Sequence, residues 1–371
     1  MKNTDKYDLL IVGSGLMGSI IAYEALLRNL KVLVIEKRNH IGGNCYTEKI
    51  ENINVHKYGA HIFHTNDKKI WDYINQFSKF NNFINTPMAV SGNRIYNLPF
   101  NLNTFYQVYG TYKINEVRKI LSKESKEFKN ITPRNLEEQA IKFVGRKLYN
   151  TLIKGYTEKQ WGLECSKIPP SIIKRLPIRM DFNNNYFNDS FQGIPVNGYT
   201  NIFKSMLKNV KVILSADYKD FIKKVNYDKM IFTGKIDEYY NYIFGELEYR
   251  SLIFKNKILN TSNYQGNAVF NYIDKEIKHT RIIEHKHFEN SDSKKTVISF
   301  EYPLEYKRGK GIDPFYPIEI NKNEETYKKY LEHSRKDKNV FFLGRLSEYK
   351  YYDMDKVIER ALSSLDRIFA K

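Results

Sequence analysis

The sequence predicts an α/β protein in which a parallel sheet carries a helical insertion and a second, antiparallel sheet. Three observations predict this fold. A buried strand, a glycine-rich turn, a helix and a second buried strand occupy residues 7–37, and a long middle segment has helical periodicity. Short β patterns then repeat from Glu248 to Tyr302, before a final strand and an amphipathic helix. Because that last pair is expected to rejoin the first sheet, the first domain is predicted to be discontinuous.

The first unit has the pattern of a dinucleotide-binding βαβ motif. Its two strands are the apolar runs 7–12 and 31–35, and Gly13, Gly15 and Gly18 between them fit G-x-G-x-x-G. In this motif the glycines allow a tight turn, close approach to a pyrophosphate, and packing of helix on strand. A pyrophosphate would lie at the helix N-terminus, where free N–H groups favour anions. The motif predicts a Rossmann-like domain; the alternative is a glycine turn in a unit that binds nothing.

The end of the second strand indicates which dinucleotide is bound. Glu36 closes that strand, where a carboxylate accepts hydrogen bonds from an adenosine ribose. An acid at this place favours FAD or NAD over a cofactor with a 2′-phosphate. Arg38 to Gly43 approximates the R-x-x-x-x-G-G of flavoproteins of the glutathione-reductase type, so FAD is expected.

Composition limits the class of protein. The chain has 371 residues and 42% hydrophobic content, enough for two or three structural units. No apolar run reaches the ~18–20 residues of a membrane span, so no transmembrane segment is predicted. The first apolar run does not resemble a signal peptide, because glycines interrupt it and Glu24 and Arg28 follow. With 2 cysteines and no metal-like spacing, a cytoplasmic location is expected.

The formal charge of +18 invites a nucleic-acid interpretation. However, the lysines are scattered rather than gathered in one block, and the chain is rich in Lys, Asn, Ile and Tyr throughout. No nucleic-acid partner is therefore predicted. Attraction to an anionic small substrate, or loosely to an anionic membrane surface, stays open.

Three histidines stand close together after the first motif. His56, His61 and His64 flank Gly59 in an aromatic segment without metal-like acidic partners. Lining of a flavin ring is favoured over metal binding, and no metal site is predicted.

The middle of the chain is predicted as a helical insertion. Helices are expected at 68–80, with Trp71 in the core, and at 103–126 and 135–160, with two strands in 86–100. The proline-rich segment that follows carries Arg175 and Arg179 and suits a loop closing over a polyanion; the alternative is an ordinary connector.

The remaining elements complete three predicted domains. Strands at 210–214 and 229–234 return to the first sheet, and Asp353 or Asp355 is expected to cap the last helix. The predicted boundaries are 1–78, 199–240 and 340–371 for the discontinuous FAD-binding domain, 101–180 for the helical substrate domain with a mobile loop at about 162–178, and 79–100, 181–198 and 241–339 for the antiparallel sheet domain.

Several strings along the whole chain resemble the bacterial UDP-galactopyranose mutase family. They are GSGLMG from Gly13, GGN from Gly42, GAHIFHT from Gly59, KGYTEKQWG from Lys154, KRLPIR from Lys174, TRIIEHKHF from Thr280 and GRLSEYKYYDM from Gly344. The resemblance implies an isomerase that interconverts UDP-galactopyranose and UDP-galactofuranose for surface glycans such as capsule or lipopolysaccharide. It implies reduced FAD, whose N5 attacks the anomeric carbon and displaces UDP, with NADPH or NADH as the expected reductant. A homodimer is also expected.

The resemblance assigns roles to individual residues. The catalytic set it implies is Arg175, Arg281, His64, Tyr316 and Tyr351. Further substrate contacts are implied for Asn85, Tyr156, Thr157, Trp161, Tyr186, Arg250 and Asn271. The implied FAD contacts are Gly13, Ser14, Gly15, Leu16, Met17, Gly18, Glu36, Lys37, Gly43, Asn44, Ala60, His61, Arg345, Tyr352, Asp353 and Met354.

Some alternatives stay open at this point. Leu152 and Ile153 stand where some relatives carry phenylalanines, so an aliphatic base pocket is expected. UDP-N-acetylgalactosamine is a possible second substrate. A flavin-dependent amine oxidase or dehydrogenase would share the first motif but would not need two arginines at a diphosphate. A nucleotide-sensing or nucleic-acid-binding flavin fold rests on the charge alone.

Overall fold

The structure, a computed structural model, describes residues 6–173 and 177–370. In these residues the chain forms 16 strands and 12 α-helices. The strands are β1 (Lys6–Val12), β2 (Val32–Ile35), β3 (Thr47–Ile50), β4 (Ile53–His56), β5 (Phe63–Thr65), β6 (Met88–Ser91), β7 (Arg94–Asn97), β8 (Phe191–Gly193), β9 (Lys211–Ile213), β10 (Asn226–Phe232), β11 (Tyr249–Leu259), β12 (Val269–Tyr272), β13 (Arg281–Glu284), β14 (Thr296–Glu305), β15 (Tyr316–Pro317) and β16 (Val340–Phe342). The helices are α1 (Leu16–Leu26), α2 (Lys68–Asn75), α3 (Leu102–Tyr109), α4 (Ile114–Glu124), α5 (Leu136–Val144), α6 (Arg146–Leu148), α7 (Lys154–Trp161), α8 (Thr200–Met206), α9 (Tyr218–Phe221), α10 (Ile236–Tyr239), α11 (Asn321–Ser334) and α12 (Met354–Phe369).

The first sheet is parallel and is covered on both faces. Its order is β16-β10-β1-β2-β9, and its strands come from widely separated parts of the chain. Leu9 and Ile11 of β1 pack with α1, α8 and α12, while Leu10 and Val12 face the opposite core. Burial of both faces explains why the second half of β1, Leu9 to Val12, is a continuous apolar run. The predicted discontinuous α/β fold is confirmed.

The second sheet has the order β15-β11-β14-β13-β12-β6-β7. Every neighbouring pair is antiparallel except β6 and β12, which are parallel. The predicted antiparallel sheet is therefore nearly right. The exception arises because the whole helical insertion separates β6 from β12, so no hairpin turn fixes their relative direction.

The helical insertion is more broken than predicted. The expected continuous helix over 103–126 is split into α3 and α4, because α3 ends at Gly110 with φ of 77°. The expected helix over 135–160 is also wrong: α5 ends at Gly145 with φ of 80°, and a π-helical segment, Tyr149–Ile153, precedes α7. Positive φ suits glycine and ends a helix. Both breaks turn the chain back onto the core of the insertion.

Other elements agree or differ in detail. Trp71 packs against the core, with ring centroids 5.2 Å from Phe80 and 5.5 Å from Phe191, as predicted. Asp353 occupies the N-cap position of α12. The 14-residue helix α11 was not predicted. None of the helices in the described ranges is long and apolar enough to span a membrane.

A buried histidine network joins the hairpin β3–β4 to the second sheet. The backbone N–H of His56 donates to Nδ1 of His285 over 3.2 Å, and His285 Nε2 lies 2.6 Å from the hydroxyl of Ser299. Burial lowers the pKa of His285 to about 3 and holds that of His56 well below its usual value. Burial also lowers the pKa of His61 to about 4. These rings are therefore neutral in the folded protein at neutral pH.

This network predicts loss of stability in mild acid. Below pH ~6.5 these histidines are protonated in the unfolded chain but not in the folded chain. The unfolded state therefore binds more protons, and the free energy of unfolding decreases as the pH is lowered. Each such histidine contributes a slope of up to about 1.4 kcal/mol per pH unit between pH 6.5 and its folded pKa. Urea denaturation at pH 7, 6 and 5 measures the slope. His285→Gln should be less stable at pH 7 but show a shallower pH dependence; an unchanged slope would contradict the assignment.

Candidate functional site

The glycine turn between β1 and α1 forms an open cradle. Gly13 has φ of 101°, and a Cβ on Gly15 would lie 3.8 Å from the Cα of Gly43. A Cβ on Gly18 would collide with the carbonyl oxygen of Gly13, so this glycine allows α1 to pack on β1. Within the described chain no side chain caps α1, which begins at Leu16 and buries Met17. Its first N–H groups are therefore available to an anion such as a pyrophosphate.

Glu36 holds this turn from the end of β2. Its carboxylate accepts hydrogen bonds from the N–H and the hydroxyl of Ser14, both at 2.9 Å, and from the N–H of Arg38 at 2.9 Å. Arg38 also donates to Oδ1 of Asn44 over 3.0 Å. The predicted residues of the adenosine end, Gly43 included, thus converge on one turn.

Asp313, which sequence analysis did not single out, closes the same region from the second sheet. It accepts from Arg38 at 2.6 Å and from Lys37 at 3.0 Å. Although burial acts in the opposite direction, these two cations lower the pKa of Asp313. The carboxylate therefore stays charged and fixes both basic side chains. Its signal in the sequence is a lone acid after a lysine- and glycine-rich stretch, which points to no partner by itself.

A second group of predicted residues lies around Arg345. The guanidinium donates to the carbonyl oxygen of Tyr352 over 2.6 Å, and its Cζ lies 4.9 Å from the ring centre of Tyr351. Met354 Sδ is 3.7 Å from the thiol sulfur of Cys45. Burial raises the pKa of that thiol to about 12, so Cys45 stays protonated and is a poor nucleophile.

His61 is connected to this second group by its electrostatic interaction with Arg345. Its Nδ1 lies 2.8 Å from the carbonyl oxygen of Gly59, next to the partly buried Ala60. Burial chiefly, with smaller contributions from Arg345 and Arg281, lowers its pKa to about 4. The imidazole is therefore neutral at neutral pH, and it interacts electrostatically with Arg345 and Arg281.

His64 on β5 is oriented by a partner that sequence analysis missed. Its Nδ1 lies 2.7 Å from Oδ2 of Asp189, and its ring stacks on Phe187 with centroids 3.7 Å apart. Asn66 donates to the other carboxylate oxygen of Asp189 over 2.6 Å. The Asp189 carboxylate accepts from Nδ1–H and so fixes the orientation of the imidazole ring.

Arg281 is the centre of the predicted substrate site. It begins β13, and its Nε donates to the hydroxyl of Tyr156 over 2.8 Å. The buried carboxylate of Glu301, on the neighbouring β14, lies 3.7 Å from the same nitrogen and accepts from the hydroxyl of Thr280. Although burial acts in the opposite direction, Glu301 and nearby tyrosines hold the pKa of Arg281 well above its usual value.

Asn271 stands opposite Arg281 in the β12–β13 pairing. Its Oδ1 is buried and has no hydrogen-bond partner among the described residues. A buried carbonyl without a partner costs free energy, so this atom is free to receive a donor from a ligand. Glu301, which supports Arg281, was not selected from the sequence. It could have been found there as a charged residue inside an otherwise apolar strand pattern.

Helix α7 supplies three predicted substrate residues. Tyr156 contacts Arg281, Thr157 is buried, and Trp161 lies partly buried at the end of the helix. Arg250, also predicted to bind substrate, donates to the carbonyl oxygen of Gln160 over 3.0 Å. Its guanidinium thus satisfies the C-terminal end of α7. The expected aliphatic base pocket is not evident, because Leu152 and Ile153 are buried in the core of the insertion.

One tyrosine pair and one backbone contact of a third tyrosine complete the site. Tyr316 and Tyr351 lie with ring centroids 5.7 Å apart, and Cζ of Arg345 is 5.9 Å from the Tyr316 ring centre. The N–H of Tyr186 donates to the carbonyl oxygen of Asn85 over 2.8 Å. The structure therefore joins the predicted cofactor and substrate residues into one continuous region.

Arg175 lies outside the described residues. In the first part of the predicted mobile loop, Cys165, Ile168 and Ile173 are buried in the core of the insertion. This burial argues against movement of that part.

Comparison with known proteins identifies the family. A family model described as UDP-galactopyranose mutase matches residues 151–351, more than half of the chain, and one described as an NAD(P)-binding Rossmann-like domain matches residues 11–77. The dTDP-fucopyranose mutase of Escherichia coli is 38% identical, covering 95% of this chain and 96% of that protein. The probable UDP-galactopyranose mutase of Klebsiella pneumoniae is 36% identical, covering 98% and 95%.

Solved structures agree on the fold. A crystal structure of a reduced UDP-galactopyranose mutase superposes with a TM-score of 0.77 at 14% identity, covering 98% of this chain and 95% of that one. Together with the Rossmann-like match, the family supports a flavin as the cofactor. The chain belongs to the UDP-galactopyranose mutase family and is an isomerase.

Proposed function

We propose that the protein interconverts UDP-galactopyranose and UDP-galactofuranose with reduced FAD as its cofactor. The observation that carries this proposal is the position of Arg281. Its guanidinium is oriented by Tyr156 and Glu301, opposite the unpartnered carbonyl of Asn271 and beside the Arg345 group. A diphosphate leaving group needs such a fixed cation, since it departs with concentrated negative charge.

The residues present fit FAD. Gly15 and Gly43 approach so closely that a Cβ on Gly43 would lie 3.0 Å from the Cα of Gly15, which supports a backbone cradle for a pyrophosphate, and Glu36 is proposed to meet the ribose hydroxyls. The protonated thiol of Cys45 favours non-covalent binding. In its reduced form the bound flavin supplies a nucleophilic nitrogen for the anomeric carbon. NADPH or NADH is the proposed reductant, although it would not be consumed in each turnover.

The protein's own groups then have three tasks. Arg281, with Tyr316 and Tyr351 nearby, stabilises the departing diphosphate. Asn271 offers an acceptor to the hydroxyl or N–H groups of the substrate. The neutral ring of His61 avoids adding a third positive charge beside two guanidiniums. Arg175 is proposed as a second diphosphate ligand on the evidence of its sequence motif alone.

A second nucleotide sugar is favoured by one observation. The E. coli relative at 38% identity is a dTDP-fucopyranose mutase, and the UDP-galactopyranose relative of Klebsiella is at 36%. Fucose is a 6-deoxygalactose. dTDP carries the same diphosphate as UDP, but on thymine and deoxyribose instead of uracil and ribose. A dTDP-6-deoxyhexose is therefore the alternative substrate, and UDP-N-acetylgalactosamine is a further one. The dehydrogenase alternative is disfavoured by the family.

The test is direct. The dithionite-reduced protein is incubated anaerobically with UDP-galactopyranose, dTDP-fucopyranose or UDP-N-acetylgalactosamine, and furanose products are separated by chromatography. We expect the highest kcat/KM with UDP-galactopyranose, without consumption of reductant. A higher value with dTDP-fucopyranose would reassign the substrate within the family. One reducing equivalent consumed per sugar would contradict the isomerisation.

Arg281→Ala should lower kcat, because the activation free energy should rise by the ~2–4 kcal/mol that a preorganised charge-stabilising donor typically contributes. The FAD content should be unchanged. Arg281→Lys should recover only part of this loss, because an ammonium cannot reproduce the fork of the guanidinium. Steady-state kinetics and flavin absorbance measure both effects. The control is Arg308→Ala, which removes an exposed arginine paired with Glu246. Activity of Arg281→Ala equal to that control would remove Arg281 from the site.

Asp189→Ala should change the tautomer of His64 and lower kcat by about 10-fold, while KM stays within about 2-fold, since supporting contacts of this kind orient a ring without binding substrate. Histidine ¹⁵N NMR of the oxidised protein reports the tautomer independently of activity. Asp189→Asn has one acceptor oxygen for the two donors Asn66 and His64; with that oxygen on Asn66, its NH2 group faces Nδ1, so this variant should also displace the Nδ1–H form and lower kcat. If neither variant alters the tautomer, Asp189 does not position His64.

A further inference from the structure

A basic groove on the helical insertion lies outside the site described above. It has a volume of about 670 Å³ and is lined along α4 and the turn after it by Arg118, Lys119, Ser122, Lys123, Lys126, Lys129 and Asn130. We call these residues the basic groove. Five of its seven residues are cations and none is acidic. The mutase reaction gives these residues no role.

Within the described ranges none of the five cations of the basic groove has an ion-pair partner within 4 Å, and Glu116 interacts with one of them, Lys119, only through a weak electrostatic effect. All five side chains are exposed to solvent. The acids of the same segment are engaged elsewhere. Glu116 pairs with Lys113, Glu127 pairs with Arg146, and Glu124 accepts from Tyr109 and from the backbone N–H of Lys147. The groove therefore presents concentrated positive charge to an external anion.

Exposed apolar side chains adjoin both ends of the basic groove. Ile114 is 39% exposed and lies one helical turn before Arg118 on the same face of α4, and Ile131, next to Asn130, is 42% exposed. Tyr112 is 54% exposed, and its ring centroid is 6.0 Å from Tyr106 and 6.2 Å from Phe182. These aromatic rings form one exposed patch beside the N-terminal end of α4.

We propose that this face docks on the surface of a bilayer that contains anionic lipids. The basic groove would contact the headgroups, and Ile114, Tyr112 and Ile131 would enter the interfacial layer. Amphipathic surfaces that combine cations with aromatic and aliphatic groups bind membranes in this way. Juxtaposed lysines and arginines are attracted to the negative surface potential of such a membrane. The resulting attachment is peripheral and reversible, and it places the isomerase next to the membrane.

Other occupants fit less well. A second copy of the chain packed symmetrically on this face would set five cations against five cations, which is repulsive. A single-stranded nucleic acid would need aromatic side chains within the groove on which bases stack, and none lines it. Both occupants are nevertheless tested below.

The experiment uses the FAD-loaded full chain and vesicles in sedimentation. One set of vesicles is phosphatidylcholine alone, and the other contains 30% phosphatidylglycerol. The groove variant is Arg118→Gln, Lys119→Gln and Lys123→Gln together, and the matched control is Lys328→Gln, Lys329→Gln and Lys336→Gln, which removes equal charge from exposed positions elsewhere. Mutase activity in solution should be the same for all three proteins. A Tyr112→Ser, Ile114→Ser variant tests the apolar contribution.

We expect binding to the anionic vesicles only, weakened about 10- to 100-fold in the groove variant and unchanged in the control. Raising NaCl from 50 to 500 mM should release the protein, and the apolar variant should be released at lower salt. Equal losses in the groove variant and the control would show that net charge alone acts and would overturn the proposal. Equal affinity for a duplex or single-stranded oligonucleotide with the same salt dependence, or self-association through this face without vesicle binding, would also overturn it.

Discussion

The site depends on one constraint: the strands of the parallel sheet end at the same edge. β1 runs into Gly13 and Ser14, β2 into Glu36, and β16 is followed by Gly344 and Arg345. Hydrogen bonds tie these ends together. Glu36 accepts from Ser14, the hydroxyl of Thr233 after β10 donates to the carbonyl oxygen of Val12, and Ser347 Oγ lies 2.6 Å from the carbonyl oxygen of Phe232. Ligands of open α/β sheets bind outside this edge for the same topological reason.

The second sheet adds charge to that edge, and in two pairs an acid from this sheet or from the loop before β15 holds a guanidinium. Asp313 reaches Arg38 from a position 275 residues distant, and Glu301 supports Arg281 from the neighbouring strand. Buried or half-buried guanidiniums need such partners, because an unpaired charge in a low-dielectric environment is costly. The pairs also orient the guanidiniums, so the region is arranged for an anion before one arrives.

The sequence predicted the contiguous motifs and the return of later strands to the first sheet, and it missed two helix ends, one polar helix and the side-chain pairs between distant residues. The βαβ unit was predictable because its strands, glycines and terminal acid are contiguous and their spacing is specific. The helix ends at Gly110 and Gly145 were missed because apolar periodicity continues across both glycines. α11 was missed because its sequence, NKNEETYKKYLEHS, is mostly polar. Asp189 and Asp313 had no recognisable signal, since their partners lie 125 and 275 residues away.

The arrangement of the site also explains why fold and family leave the sugar nucleotide open. Arg281, Tyr316 and Tyr351 would contact the diphosphate, and this group is common to UDP-galactose and to a dTDP-6-deoxyhexose. The parts that differ are the base, the ribose and the sixth carbon of the sugar. We expect residues that distinguish them on α7, which carries Trp161, and on β12, which Lys159 of α7 contacts and where the Asn271 carbonyl has no partner among the described residues. A buried polar atom discriminates strongly, because a substrate that leaves it unpaired loses a full hydrogen bond. We therefore propose that specificity rests on polar contacts of this kind rather than on the guanidinium of Arg281, which would meet the diphosphate common to both substrates.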